Sequence, residues 1–173
     1  ELIENALDAD ASKISIEFEG GGLQRLIVED DGCGILATEL PLAFEAHATS
    51  KLKNLDDFKK LSTFGFRGEA LCSLASVSEL EIWTASRDET LGSIGRVTYG
   101  ASQKIETADK RIGTRITVRN LFSRHPARLK FMKSLRSETL AIHQVFNRYV
   151  LCVPEVSWSL KDLISGHQEF RPV

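Results

Sequence analysis

The feature that most limits how this chain can fold is the alternation Ile14-Ser15-Ile16-Glu17-Phe18-Glu19. Apolar and polar residues exchange at every step, so an extended segment here buries one face and leaves the other in water. Gly20-Gly21-Gly22 follows, and an extended pattern resumes over Leu23 to Glu29, which predicts a hairpin. A helix is predicted over 1–9, with Glu1, Asn5 and Asp8 along one face and Ile3 and Leu7 on another. Further strands are expected near 79–86, 93–99, 114–119, 156–160 and 167–171, and a helix near 69–76. The clearest helix carries Ile142, Val145, Phe146, Tyr149, Val150 and Val153 at helical spacing, and Pro154 ends it. Two short helices are predicted, over 39–46 with Thr38 as N-cap and over 56–61 with Asp56 near the cap. The pattern weakens over 47–68 into polar, glycine-rich sequence that reads as a long mobile segment. Helices and antiparallel-looking strands mix without strict βα alternation. An α+β fold is therefore expected, a two-layer sandwich of a mixed, mostly antiparallel sheet with helices on one face.

Composition narrows the function classes. A chain of 173 residues makes one ordinary domain and needs no disulfide or structural metal to hold a core. A net charge of −2 excludes a strongly basic nucleic-acid binder at the level of the whole chain, though not a local basic face. Cys33, Cys72 and Cys152 are widely spaced with no CxxC pair, which points to a reducing compartment and no zinc framework. Cys33 reads as a small buried residue, and Trp83 and Trp158, on predicted strands, read as core. No apolar run approaches the roughly 20 residues of a membrane span. The chain opens on Glu1 inside a predicted helix, so residues 1–173 are expected to be a fragment.

Four segments could carry chemistry. Glu1 and Asn5, four apart on a helix, sit roughly 5–6 Å from one another on one face. A carboxylate there can polarise a water for attack on a phosphate, and an amide oxygen can serve Mg²⁺; read alone, the pair describes an exposed polar helix face more simply. Asp30-x-Gly32-x-Gly34 follows a strand: an ionised aspartate suits an exocyclic amine, and glycines let backbone approach a flat ring. By itself it also fits a polar turn. His47-Ala48-Thr49-Ser50-Lys51, with Gly65-Phe66-Arg67-Gly68-Glu69-Ala70-Leu71, offers hydroxyls, cations and a glycine-bracketed helix start, all of which attract phosphate. In Gly113-Thr114-Arg115-Ile116-Thr117-Val118, Thr114 could reach a base edge. No G-x-x-x-x-G-K-[ST] or G-x-G-x-x-G is present.

Taken in order, these segments resemble the Bergerat ATP-binding fold shared by gyrase B, the histidine kinases and MutL. The wording is narrower still. E-L-I-E-N-A-L-D-A (1–9), D-G-C-G-I (31–35), H-A-T-S-K (47–51), G-F-R-G-E-A-L (65–71) and L-F-x-x-x-P-A-R-x-K-F (121–131) resemble the MutL family of DNA mismatch repair proteins.

The resemblance implies roles. Glu1 would be the catalytic base, Asn5 would hold Mg²⁺, Asp30 would take the adenine amino group with Gly34 beside it, and Thr114 would assist at the base. Thr49, Ser50, Lys51 and Gly65, Phe66, Arg67, Gly68, Glu69, Ala70 and Leu71 would close a lid over the phosphates of ATP. It also implies slow hydrolysis used as a switch, with ATP-dependent dimerisation (homodimer or paralogue heterodimer), repair-protein partners and DNA. The location would be cytoplasmic at the bacterial nucleoid, or nuclear in a eukaryote, with no membrane association. The stretch preceding Glu1 and a second domain that would supply a phosphate-contacting lysine would be missing, so the fragment alone is expected to hydrolyse ATP weakly or not at all. A non-catalytic nucleotide- or partner-binding module of the same fold is the alternative. The family's first helix usually ends Asp-Ala-Gly; here Asp10 replaces the glycine, at a cost of ~1 kcal/mol if the position is left-handed. Arg124, Arg128, Lys130, Lys133 and Arg136, with no acidic residue among them, form a candidate DNA face, with a solvated basic face equally open.

Overall fold

The computed structural model describes residues 1–45 and 70–173. Its helices are α1 (Leu2–Asp8), α2 (Ala70–Val77), α3 (Pro126–Leu129) and α4 (Leu135–Cys152). Its strands are β1 (Lys13–Glu19), β2 (Arg25–Asp30), β3 (Glu79–Ala85), β4 (Gly92–Thr98), β5 (Lys104–Ala108), β6 (Gly113–Arg119), β7 (Ser157–Asp162) and β8 (Gln168–Arg171). The strands form one sheet in the order β5-β4-β3-β6-β2-β1-β7-β8. Only β1 and β7 run parallel; every other pair is antiparallel. This is the α+β sandwich expected from the sequence.

The alternation that predicted β1 decides which face is covered. Ile14, Ile16 and Phe18 are buried, and their register partners Val28, Trp158 and Leu160 turn to the same side. Ile82, Leu80, Ile116 and Val118 continue this apolar floor across β3 and β6. Leu2, Ile3 and Ala6 of α1, Ala75 of α2 and Phe146 of α4 cover it. Phe146 meets Trp158 edge to face at 6.3 Å between ring centroids, and the Trp158 indole N–H donates to the Val153 carbonyl at 3.0 Å. The buried aromatic therefore leaves no polar atom without a partner.

Helix α1 ends in a Schellman turn. The Ala11 N–H bonds the Ala6 carbonyl at 3.2 Å, the Asp10 N–H bonds Leu7 at 3.0 Å, and Asp10 takes φ 56°. The left-handed position anticipated for Asp10 is thus real. The β1–β2 hairpin turns through three glycines, all with positive φ, and Gly21 presses so close to α4 that a Cβ would lie 2.9 Å from that of Glu138.

Several expectations need correction. Of the helix predicted over 39–46, the described residues 39–45 form no α-helix: a 3-10 turn spans Leu42–Phe44, with Pro41 and not Thr38 at its N-cap. Phe44 there packs over Gly95, where a Cβ would stand 2.6 Å from its ring. Strand β5 and the short α3 lay outside the predicted elements. Helix α4 begins seven residues before the apolar run, because the Ser134 hydroxyl caps it by accepting the Ser137 N–H at 3.2 Å. The helix predicted over 56–61 lies outside the described residues. Cys33 is exposed. Trp158 is core, whereas Trp83 is half-buried on the opposite, charged face of the sheet, with the Arg111 guanidinium 5.9 Å from its ring. On that face Glu29 pairs with Arg111 at 2.7 Å and with Arg115, and Arg96 bridges Glu81 and Glu106 at 2.7 and 2.8 Å.

Candidate functional site

Register carries a second message. Thr107, Ser93, Thr84, Thr114, Asp30 and Ile14 stand opposite one another in turn across β5, β4, β3, β6, β2 and β1. Partners in register share a face, so this row lies on the helix-covered side. From β5 to β2 it is polar, while the next row inward reads Gly95, Ile82, Ile116, Val28 and Ile16. Ser93, Thr84 and Thr114 are all buried. A polar row at one end of an otherwise apolar floor is what a bound polar ligand requires and what core packing alone does not.

Asp30 sits in that row. Its Oδ1 accepts the Gly32 N–H at 2.9 Å, and the Thr114 N–H also bonds its carboxyl. Burial nevertheless dominates and pushes its pKa up to about 6, with the neighbouring Asp31 and Glu29 charges adding to the rise. Asp31 has a different task. Burial pulls its pKa upward, but the Ser12 hydroxyl at 2.6 Å and the N–H groups of Ser12 and Lys13, both at 2.8 Å, outweigh that and hold it below the usual carboxylate range. Asp31 ties the loop to the start of β1, and Asp30 is left to face the site.

The same loop docks on α1. The Cys33 N–H donates to the Ala9 carbonyl at 2.9 Å, and a Cβ on Gly32 would collide with that oxygen at 2.6 Å. Ala9, Asn5 and Glu1 follow at i, i−4 and i−8, within about 80° of one another around the helix. Asn5 is half-buried and Glu1 exposed; among the described residues, neither side chain takes a hydrogen-bond partner. The other glutamate of the helix is committed elsewhere: Glu4 accepts the Tyr149 hydroxyl at 2.9 Å, which anchors α1 to α4. An amide and a carboxylate with no hydrogen-bond partner among the described residues fit Mg²⁺, which prefers one or two protein oxygens and fills the rest with water and phosphate. Among the described residues no group of three His, Cys, Asp or Glu is placed to hold a metal by itself.

Gly34 earns its place by packing: at φ +74° a Cβ would stand 2.2 Å from the Ala85 carbonyl oxygen. Asp30, Gly113 and Thr114 line a narrow crevice at this end of the sheet together with Glu29, Trp83, Arg111, Ile112 and Arg115, and it has no room for a water molecule. A broader groove of about 490 Å³, beside Trp83, Leu91 and Ile94 on the charged face, contains none of the predicted site residues. Ala70 and Leu71 form the first turn of α2. Thr49, Ser50, Lys51, Gly65, Phe66, Arg67, Gly68 and Glu69 lie outside the described residues. Sequence reasoning missed Thr84, although its position after Leu80 and Ile82 on alternate residues marks it as an inward-facing hydroxyl.

The basic segment lies apart from this row. Arg124 stacks on Tyr99 at 4.2 Å and Arg128 on Phe122 at 5.5 Å, so both guanidiniums are held by rings. Lys130, Lys133 and Arg136 are exposed between α3 and the first turn of α4.

Comparison with known proteins gives the family and the fold. Residues 1–122 match the family described as histidine kinase-, DNA gyrase B- and HSP90-like ATPase. The DNA mismatch repair protein MutL of Streptococcus uberis is 48% identical over 160 residues, 92% of this chain and 24% of that protein. MutL of Streptococcus pyogenes serotype M5 is 46% identical over the same shares. The chain thus spans about a quarter of the length of the curated relatives it matches. Among solved structures, the Aquifex aeolicus MutL ATPase domain complexed with ADP is similar at a TM-score of 0.74 and 27% identity, over 99% of this chain and 60% of that one. The N-terminal domain of a DNA repair protein gives a TM-score of 0.78 at 25% identity, over 98% and 49%. The chain belongs to the histidine kinase-, DNA gyrase B- and HSP90-like ATPase family, with MutL mismatch repair proteins among its homologues.

Proposed function

We propose that this chain is the ATP-binding and slowly ATP-hydrolysing part of a DNA mismatch repair protein, in which nucleotide gates dimerisation. The observation that carries the reading is the polar row holding Asp30 and Thr114 beside the helix that carries Glu1 and Asn5. Asp30 accepts the adenine amino group and Thr114 assists at the same edge. Gly34 keeps the loop close to β3. Glu1 takes a proton from the attacking water, and Asn5 offers its amide oxygen to Mg²⁺. The metal, when bound, neutralises phosphate charge. Positioning and charge neutralisation are enough for this chemistry, and no covalent step on the protein is needed. Thr49, Ser50, Lys51 and the segment Gly65, Phe66, Arg67, Gly68, Glu69, Ala70 and Leu71 complete the phosphate side. The intact protein dimerises through this region when ATP is bound and works with repair partners on DNA at the nucleoid, or in the nucleus of a eukaryote.

Replacement of Glu1 by alanine in the full-length protein tests this. ATP binding should persist while Mg²⁺-dependent hydrolysis falls by two or more orders of magnitude. A wild type that binds ATP yet hydrolyses it no faster than the Glu1→Ala variant and the protein-free control would establish the non-catalytic binding module instead. Sedimentation with and without a non-hydrolysable ATP analogue tests the dimerisation switch.

A further inference from the structure

The row beneath the site contains a hydroxyl that touches no ligand position yet controls one that does. Thr84 is completely buried. Its Oγ1 accepts the Ile35 N–H at 2.8 Å, lies 2.9 Å from the Gly113 carbonyl oxygen, and lies 3.1 Å from the Thr114 Oγ1. Two of these contacts are between oxygens, and each needs one proton to be attractive. The Gly113 carbonyl has none to give. A threonine hydroxyl has a single proton and two lone pairs, so Thr84 serves Gly113 and the proton toward Thr84 comes from Thr114. In the reverse arrangement, two bare oxygens would face one another 2.9 Å apart inside the protein, where an unmade bond is costly. The inventory of Thr84 closes with one bond donated and two accepted.

The consequence falls on Thr114. Its only proton is committed inward, so only lone pairs remain for the site. Its register partner Asp30, when ionised, also only accepts. Two acceptors in adjacent positions suit an NH₂ group and repel a carbonyl oxygen.

We propose that Thr84 is a positioning residue that fixes the direction of the Thr114 hydroxyl and so makes the site select a 6-aminopurine over a 6-oxopurine. The proposal rests on the nucleotide-binding reading above. It extends that reading from which groups meet the base to what sets their polarity. Thr84, itself on β3, also ties that strand to two other elements at one atom, because its partners come from the loop after β2 and from β6.

The test is competitive equilibrium binding of ATP and ITP to the full-length protein; the two differ at C6 and in the N1 proton that follows from it. Wild type should prefer ATP. Thr84→Val keeps the shape, removes the oxygen that accepts the Thr114 proton and lets the Thr114 hydroxyl turn outward as a donor, so the ATP-to-ITP preference should narrow about tenfold, the size of one hydrogen bond. Thr84→Ser should keep the wild-type preference. In the Thr114→Val background, Thr84→Val should change the preference no further, because Thr84 acts through Thr114. A folded Thr84→Val protein with the wild-type preference would overturn the proposal while leaving the nucleotide site intact. A wild type that binds neither nucleotide, or both alike, would instead overturn the site reading itself. If Thr84→Val does not fold, Thr84→Cys, a weaker acceptor, carries the test: a narrowed preference supports the proposal and an unchanged one refutes it.

Discussion

Asp30 stands directly across β1 and β2 from Ile14, a side chain with no exposed surface. That pairing places a carboxyl at the rim of the hydrophobic floor and explains why its pKa rises to about 6 despite two backbone N–H groups bonded to it. In the unfolded chain the same group titrates near 3.8. Between these values the folded chain binds more protons, so stability falls as pH climbs from about 4 to about 6 and stays lower above. The cost is roughly 3 kcal/mol at neutral pH. Asp30→Asn removes it: denaturant unfolding should show the variant more stable than wild type at pH 7.5, with the two converging near pH 4. Nucleotide binding should fail in the variant, and in wild type should weaken as pH drops through about 6.

Tyr149 fixes the helix that carries Glu1 and Asn5, since its hydroxyl donates to Glu4. Burial, first, and then that bond push its pKa up to about 12. A spectrophotometric titration should therefore find one of the two tyrosines ionising only near pH 12. Tyr149→Phe leaves Glu4 without its donor and should cost about 1–2 kcal/mol, or a fall in Tm of roughly 3–6 °C. ATP hydrolysis by the full-length variant should fall more than ATP binding, because Glu1 caps the N-terminal end of α1 that the Glu4 contact holds.

What the sequence made legible follows physical rules that act locally. Ile14, Ile16 and Phe18 announced their strand because burial on one face imposes a period of two. The left-handed turn at Asp10 was suggested only by the glycine that the resembled family carries there. Strand β5 was silent: Lys104, Ile105, Glu106 and Thr107 are all exposed at a sheet edge, so no buried face writes a pattern there. The first two turns of α4 were set by the Ser134 cap and by Glu138 accepting the Lys133 N–H at 2.9 Å, not by apolar spacing. Of the site, Glu1, Asn5, Asp30 and Thr114 could be picked out because a motif holds them at set spacing. Thr84 could not, because its importance comes from three partners far away in sequence.

Gly34 and Gly166 have nearly the same backbone angle, φ +74° and +72°, and opposite surroundings. A Cβ on Gly34 meets the Ala85 carbonyl at 2.2 Å, whereas one on Gly166 meets nothing within 4 Å. Gly166→Ala should cost only the left-handed strain, about 1 kcal/mol. Gly34→Ala must also push the loop away from β3, and should cost roughly 3 kcal/mol or more while weakening nucleotide binding. Parallel denaturant unfolding of the two variants separates collision from backbone strain.

The basic segment makes a prediction that salt alone can judge. Arg128 and Lys130 stand on and just after α3 with exposed charges, and the ring of Phe122 beneath Arg128 limits how freely that guanidinium moves. A cation held in place loses less entropy on meeting a phosphate than one that swings freely, so the pair suits contact with a nucleic-acid backbone. Each phosphate neutralised releases counterions and adds about one to the slope of log affinity against log salt. In the full-length protein, Arg128→Glu with Lys130→Glu should weaken DNA binding and lower that slope by about two. ATP binding should stay unchanged, because the segment lies apart from the Asp30 row. A solvated basic face predicts the opposite pattern, with the DNA salt slope identical in the variant and the wild type.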